Sequence, residues 1–196
     1  MEFIAHRVNT VQALRRVPPE YGVEVDLRDH GKRLVLQHEP FVDGEDFAPF
    51  VRRYRHGTMI LNVKSERIEP RVLETIRGSR VRRYFFLDSS FPMIFQLIRA
   101  GERNIALRFS EFEGLETILN LRGKARWVWV DCFTRWPLTR AAYQKLKRAG
   151  FKLCVVSPDL VGRPGGIEPM RRRISRDRVV PDAVCCKLEN IPRWRI

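Results

Sequence analysis

Apolar residues in this chain gather into short runs separated by stretches of helical spacing, and the alternation repeats about every two dozen residues. Eight runs read as strands: Phe3–His6, Val23–Leu27, Met59–Val63, Arg83–Leu87, Ile105–Phe109, Trp127–Cys132, Leu153–Ser157 and Ala183–Leu188. They are near-continuously apolar, as strands covered on both faces are. Between them, Thr10–Val17, Arg71–Arg77, Met93–Ala100, Leu115–Leu121, Thr139–Ala149 and Pro169–Ser175 carry helical spacing, and Glu45–Tyr54 reads as a further short helix. Gly78, Gly101, Gly123 and Gly150 fall at or just past a last turn, where a left-handed residue closes many helices.

Eight strand–helix repeats predict an α/β protein, a compact (β/α)8 barrel formed as one domain over residues 1–196. An open doubly wound sheet is the alternative, but it more often uses five or six strands. Barrels of this kind usually take ~250 residues, with ~200 the lower edge. At 196 residues the helices must therefore be short, with some replaced by loops. The turn Asp29-His30-Gly31-Lys32 and the run Leu34–Gln37 read as a small hairpin inserted after the second strand.

Charge changes the picture more than apolar content does. Lys and Arg number 37 against 23 Asp and Glu, a net +14, which favours anionic partners. Arg171–Arg176 and Arg193-Trp194-Arg195 are the densest basic runs, and the first reads as the solvated face of a last helix. Nucleic acid ranks low among the partners, because the basic residues are spread along the chain and no recognition module is visible. No run approaches the ~20 apolar residues that span a bilayer. The start, MEFIAHRV, enters a strand without a leader pattern. Cys132, Cys154, Cys185 and Cys186 lie in apolar runs without zinc-site spacing, which fits buried, reduced thiols in a cytoplasmic protein. Arg163-Pro164-Gly165-Gly166 could wrap a phosphate with backbone N–H groups, but these are also ordinary turn residues. The four tryptophans, Trp127, Trp129, Trp136 and Trp194, read as packing, although Trp136 at the end of the sixth strand could line the mouth.

In a barrel of this type the chemistry sits at the C-terminal ends of the strands. Collected there are His6 and Arg7, Glu24 and Asp26, Asn62 and Lys64, then Asp88, Arg108, Asp131, Lys187 and Glu189. Residues two apart on a strand share a face, so Glu24 and Asp26 project together. For Asp88, Arg108, Glu111 and Glu189 ordinary strand-end polarity is explanation enough. His38 closes the run after the hairpin turn.

The order His6-Arg7, Asn9-Thr10, Glu24-Val25-Asp26, Gly31, His38-Glu39-Pro40 and Asn62-Val63-Lys64 resembles the glycerophosphodiester phosphodiesterase family, of the phosphatidylinositol-phospholipase-C-like barrels. The resemblance covers residues 3–64, about the first third of the chain. It implies a phosphoric diester hydrolase of lipid metabolism acting on a small phosphodiester. His6 and His38 would then transfer protons. Arg7 would hold phosphoryl oxygens, and Lys64 would assist from the next strand. Glu24, Asp26 and Asn62 would hold a divalent cation, Mg²⁺ or Ca²⁺. Three positions depart from the family pattern. Val8 replaces its glycine after His-Arg, and the contracted loop lacks its glutamate. Asn62 stands where the family usually has a carboxylate, which lowers the expected affinity for a cation. The segment His38–Phe47 is also short for a pocket-shaping insertion. A catalytically silent barrel that binds an anionic ligand or partner is the competing expectation. Oligomeric state stays open.

Overall fold

A computed structural model describes residues 1–195. Ten strands form: β1 (Glu2–Ala5), β2 (Gly22–His30), β3 (Arg33–Leu36), β4 (Glu45–Asp46), β5 (Met59–Val63), β6 (Tyr84–Leu87), β7 (Ala106–Phe109), β8 (Trp127–Val130), β9 (Lys152–Val156) and β10 (Ala183–Cys186). Eight of them are the expected barrel staves. β1 pairs in parallel with β2 and β10, β2 with β5, β5 with β6, and β7, β8, β9 and β10 follow in turn. The ladder is interrupted between β6 and β7, where a single parallel bridge, Phe86 to Ile105, spans the seam. There Phe86 N–H donates to the Asn104 carbonyl at 2.8 Å. β3 and β4 stand outside the ring, because β2 runs on past the barrel to His30 and turns at Gly31-Lys32 into antiparallel β3.

The helices are α1 (Val11–Leu14), α2 (Phe47–Arg53), α3 (Glu69–Ile76), α4 (Phe91–Arg99), α5 (Leu115–Asn120), α6 (Arg140–Arg148), α7 (Ile167–Arg176) and α8 (Ile191–Trp194). They are short, as the length requires. α1 is one turn rather than the expected Thr10–Val17, because Pro18-Pro19 just beyond cannot continue a helix. Thr10 caps it, its hydroxyl accepting from Ala13 N–H at 3.0 Å. Glu45 and Asp46 pair with β3 instead of opening α2, and α8 was not foreseen. Gly78, Gly101, Gly123 and Gly150 all have positive φ, so the C-cap signal held at each.

Strand alternation sorts the core into two layers. Ile4, Ile60, Phe85, Trp127, Cys154 and Cys185 point into the barrel, where the Phe85 and Trp127 rings stack 4.6 Å apart. The other face of each strand packs on the helices, so Cys185 and Cys186 belong to different layers. All four cysteines are buried and unpaired. The same inward parity continues upward past the apolar filling: Ile60 leads to Asn62, Ala106 to Arg108 and Trp129 to Asp131. The polar mouth therefore caps a dry barrel.

Candidate active site

Glu24 and Asp26, successive inward positions on β2, are completely buried. Ionised carboxylates in such a place need donors, and neighbouring strand ends supply them. The first loop folds over β2, with Val8 N–H on the Glu24 carbonyl at 2.8 Å. That turn puts Arg7 N–H 2.7 Å from Glu24 Oε2. It also puts Asn9 across Asp26: Asn9 Nδ2 donates to Oδ2 at 2.9 Å, and Asp26 N–H donates to Asn9 Oδ1 at 2.9 Å. From β5, Asn62 Nδ2 donates to Glu24 Oε1 at 2.8 Å and reaches Asp26 Oδ1 at 3.4 Å. Arg7 Nε lies 3.7 Å and Lys64 Nζ 3.9 Å from Asp26.

The structure thus brings six of the seven sequence-derived residues into one contact chain: His6, Arg7, Glu24, Asp26, Asn62 and Lys64. His6 Nε2 stands 3.7 Å from Glu24 Oε2. His38 is not in that chain. Its Nδ1 pairs with Glu39 at 2.7 Å, and the ring is about one-third exposed. What anchors it is Arg28, which donates to the His38 carbonyl at 3.0 Å and to the Lys64 carbonyl at 2.8 Å. Gln37 N–H on the Asp26 carbonyl fixes the same segment beside the mouth, and charge on His38 is felt at His6.

Burial dominates the electrostatics. It pulls His6 down to about 4, helped by the Arg7 charge and opposed by Asp26 and Asp159. It lifts Glu24 to about 7, with the Asp26 charge adding to the effect and the Asn62 and Arg7 hydrogen bonds opposing it. The close approach of His6 to Glu24 is therefore a neutral imidazole beside a carboxyl that is readily protonated, not an ion pair.

A second group adjoins the first, and the sequence assigns two of its members, Asp88 and Arg108, to ordinary strand-end polarity and gives Asp131 no role. Asp88, just past β6, accepts from Lys64 Nζ at 3.1 Å and from Arg108 Nε at 2.7 Å. Arg108 also pairs with Asp131, which takes a bond from the Trp129 indole at 3.0 Å. Burial raises Asp131 to about 6 despite that arginine. One polar chain consequently crosses the mouth from Asn9 to Asp131. The missed signal was parity: Arg108 and Asp131 fall on the inward positions of their strands. Strain collects here too, with Arg7, Arg67 and Asp88 at φ 58°, 66° and 61°, a conformation non-glycine residues rarely take.

For a cation, the donors on offer are two carboxylates and an amide. Among the described residues no cluster of three or more His, Cys, Asp or Glu is arranged as a metal site. The Asn62 Oδ1, however, is buried and without a partner beside two adjoining buried carboxylates. Asn62 turns its amide nitrogen to both carboxylates, so these three residues fit a small divalent cation only with the amide reversed, Oδ1 in place of Nδ2. Beside the mouth, a hollow of about 530 Å³ is lined by His6, Arg7, Asp159 and Lys187. Asp159 is itself buried, tied to Lys187 N–H at 2.9 Å and Asn190 Nδ2 at 2.8 Å.

No family model and no curated protein matches this sequence. Among solved structures, a glycerophosphodiester phosphodiesterase from Agrobacterium tumefaciens superposes with a TM-score of 0.60, covering 96% of this chain and 97% of that one, at 14% identity. The likeness extends over the whole ring, so the (β/α)8 architecture read from the repeat pattern stands.

Proposed function

We propose that the chain is a phosphoric diester hydrolase of the glycerophosphodiester phosphodiesterase type, acting on a small phosphodiester. The observation that carries this reading is the continuous chain of contacts at the strand ends, in which a neutral imidazole and a guanidinium line the hollow beside the mouth and two buried carboxylates and an ammonium lie directly behind them. The solved structure sharing this fold is described as an enzyme of that type, which agrees with the His6-Arg7, Glu24-Val25-Asp26 and His38-Glu39-Pro40 resemblance.

His6 is poised to accept a proton because burial keeps it neutral at ordinary pH. Arg7, about half exposed at the edge of the hollow, offers a planar fork to two phosphoryl oxygens. Lys64 adds positive charge from β5. Glu24, Asp26 and Asn62 would hold the divalent cation, which when bound supplies charge neutralisation at the phosphoryl oxygens. In the reaction an oxygen nucleophile gives up its proton as its bond to phosphorus forms. The departing alkoxide takes a proton as its own bond breaks. His38 is assigned to the second imidazole role, which requires its ring to leave Glu39 and turn to the mouth. The buried, unpaired thiols agree with a cytoplasmic setting. Among the described residues no helix is long and apolar enough to cross a membrane.

The silent-barrel alternative draws on two observations: His38 is occupied with Glu39, and Asn62 brings no charge. Hydrolysis of bis(p-nitrophenyl) phosphate, with Mg²⁺ or Ca²⁺ and with chelator, separates the readings. Metal-dependent release that falls to background in His6→Ala and His38→Ala is the expected result. Release that persists in both variants rejects the assignment. No release at all, with phosphate still bound, selects the silent barrel.

A further inference from the structure

Lysines and arginines scattered along the sequence are not scattered on the molecule. Each strand–helix repeat returns the chain once to the N-terminal ends of the staves, opposite the mouth. The seven connections that enter strands there (residues 15–21, 54–58, 77–83, 100–105, 121–126, 149–151 and 177–182) hold twelve Lys and Arg against four acids. The last turns of the helices feeding them add eight more against one, Glu74. That surplus alone accounts for the +14 of the entire chain, so the remainder, mouth included, is close to neutral.

Little at this end offsets it. The loop acids are already engaged: Glu20 lies 3.7 Å from Arg195, Asp177 pairs with Arg173 and Arg176, and Asp182 pairs with Lys147 at 2.8 Å. Glu102 is held by the Tyr84 hydroxyl and two backbone amides. Arg77, Arg80, Arg82, Arg122 and Lys124 are exposed and stand outside these pairs. A hollow of about 340 Å³ on the same face is lined by Arg82, Arg83, Arg126 and Lys152 against two acids, Glu2, which lies 3.6 Å from Arg83, and Asp182.

From this we infer that the N-terminal face of the barrel binds the phosphate backbone of a duplex nucleic acid without reading its sequence. Guanidinium forks match phosphate geometry, and charge alone suffices for such binding. A bilayer is the poorer fit, since four of the five exposed phenylalanines, Phe41, Phe91, Phe112 and Phe133, follow strand ends at the mouth, the fifth, Phe95, lies within α4, and the basic face exposes Met1 and Val180 among large apolar residues. Single strands are disfavoured for want of aromatic platforms: Tyr21, Tyr54 and Trp127 at this end are buried. The inference is independent of whether the mouth hydrolyses diesters.

A fluorescein-labelled 30-base-pair DNA duplex of mixed sequence, titrated with the full chain and followed by anisotropy, provides the test. Neutralising about four phosphates gives an affinity loss on the order of 100-fold between 50 and 200 mM NaCl. Unlabelled duplexes of other sequences are expected to compete equally. The triple variant Arg80→Glu, Arg82→Glu, Arg122→Glu is expected to bind at least about 10-fold more weakly at 50 mM, and Arg135→Glu beside the mouth to bind as wild type. If the triple reversal melts early, Arg80→Gln, Arg82→Gln, Arg122→Gln is expected to lose about 3-fold with an unchanged melt. Salt-insensitive binding, equal loss with Arg135→Glu, or preference for vesicles containing 30% phosphatidylglycerol over the duplex would overturn the inference.

Discussion

The two ends of the barrel treat charge in opposite ways. At the mouth the charged groups on inward strand positions are buried or half-buried and committed to partners, as in the run Asn9–Asp26–Lys64–Asp88–Arg108–Asp131. At the base, arginines outnumber the acids that could pair with them, and Arg77, Arg80, Arg82 and Arg122 extend into solvent. The physical cause differs accordingly. Inward strand positions above the apolar filling sit in a low dielectric, where an uncompensated charge is costly and geometry is fixed by mutual satisfaction. Loops at the base lie in water, where charge costs little and orders nothing. The mouth is therefore built to hold a geometry, and the base only to hold a potential.

Several substitutions would break or sharpen that contrast, and the largest effect is expected in catalysis. His6→Ala is predicted to lower diester hydrolysis by about 10²–10⁴-fold while leaving the thermal midpoint nearly unchanged. Steady-state rates and a melt on one preparation check both halves. Arg108→Leu is next: it leaves the buried Asp131 without its cation and Asp88 with Lys64 alone, and unfolding by denaturant is expected to show a loss of about 3 kcal/mol. Asn9→Ala removes both hydrogen bonds to Asp26 and is expected to cost about 1–2 kcal/mol by the same measurement. The smallest effect belongs to the base, where Arg80→Gln is expected to shift stability by no more than about 0.5 kcal/mol. If Arg80→Gln destabilised as much as Arg108→Leu, the contrast between the ends would fail.

Much of this was legible in the sequence because period encodes position. The eight apolar runs gave the staves, with Met59–Val63 matching β5 residue for residue, and the x-plus-two spacing of Glu24 and Asp26 placed them side by side. Individual residue types gave less. Arg108 looked like surface polarity and Asp131 received no role, because each is one letter in an otherwise apolar stretch, and only strand parity turns them inward. The orientation of His38 was not readable, since the choice between Glu39 and the mouth is a rotamer of an exposed ring. The basic face was hidden for a different reason: its residues are spread over seven separate connections and the helix ends that feed them, and only closing the ring collects one loop from each repeat.

The central claim, that the mouth is a hydrolytic site for small phosphodiesters, is tested most directly by ³¹P NMR of sn-glycero-3-phosphocholine incubated with the protein and Mg²⁺. The account predicts that the diester resonance gives way to that of a phosphomonoester with the wild-type chain, and persists with His6→Ala and with Asp26→Asn. A diester signal left intact by the wild type, or consumed equally by all three, would contradict it.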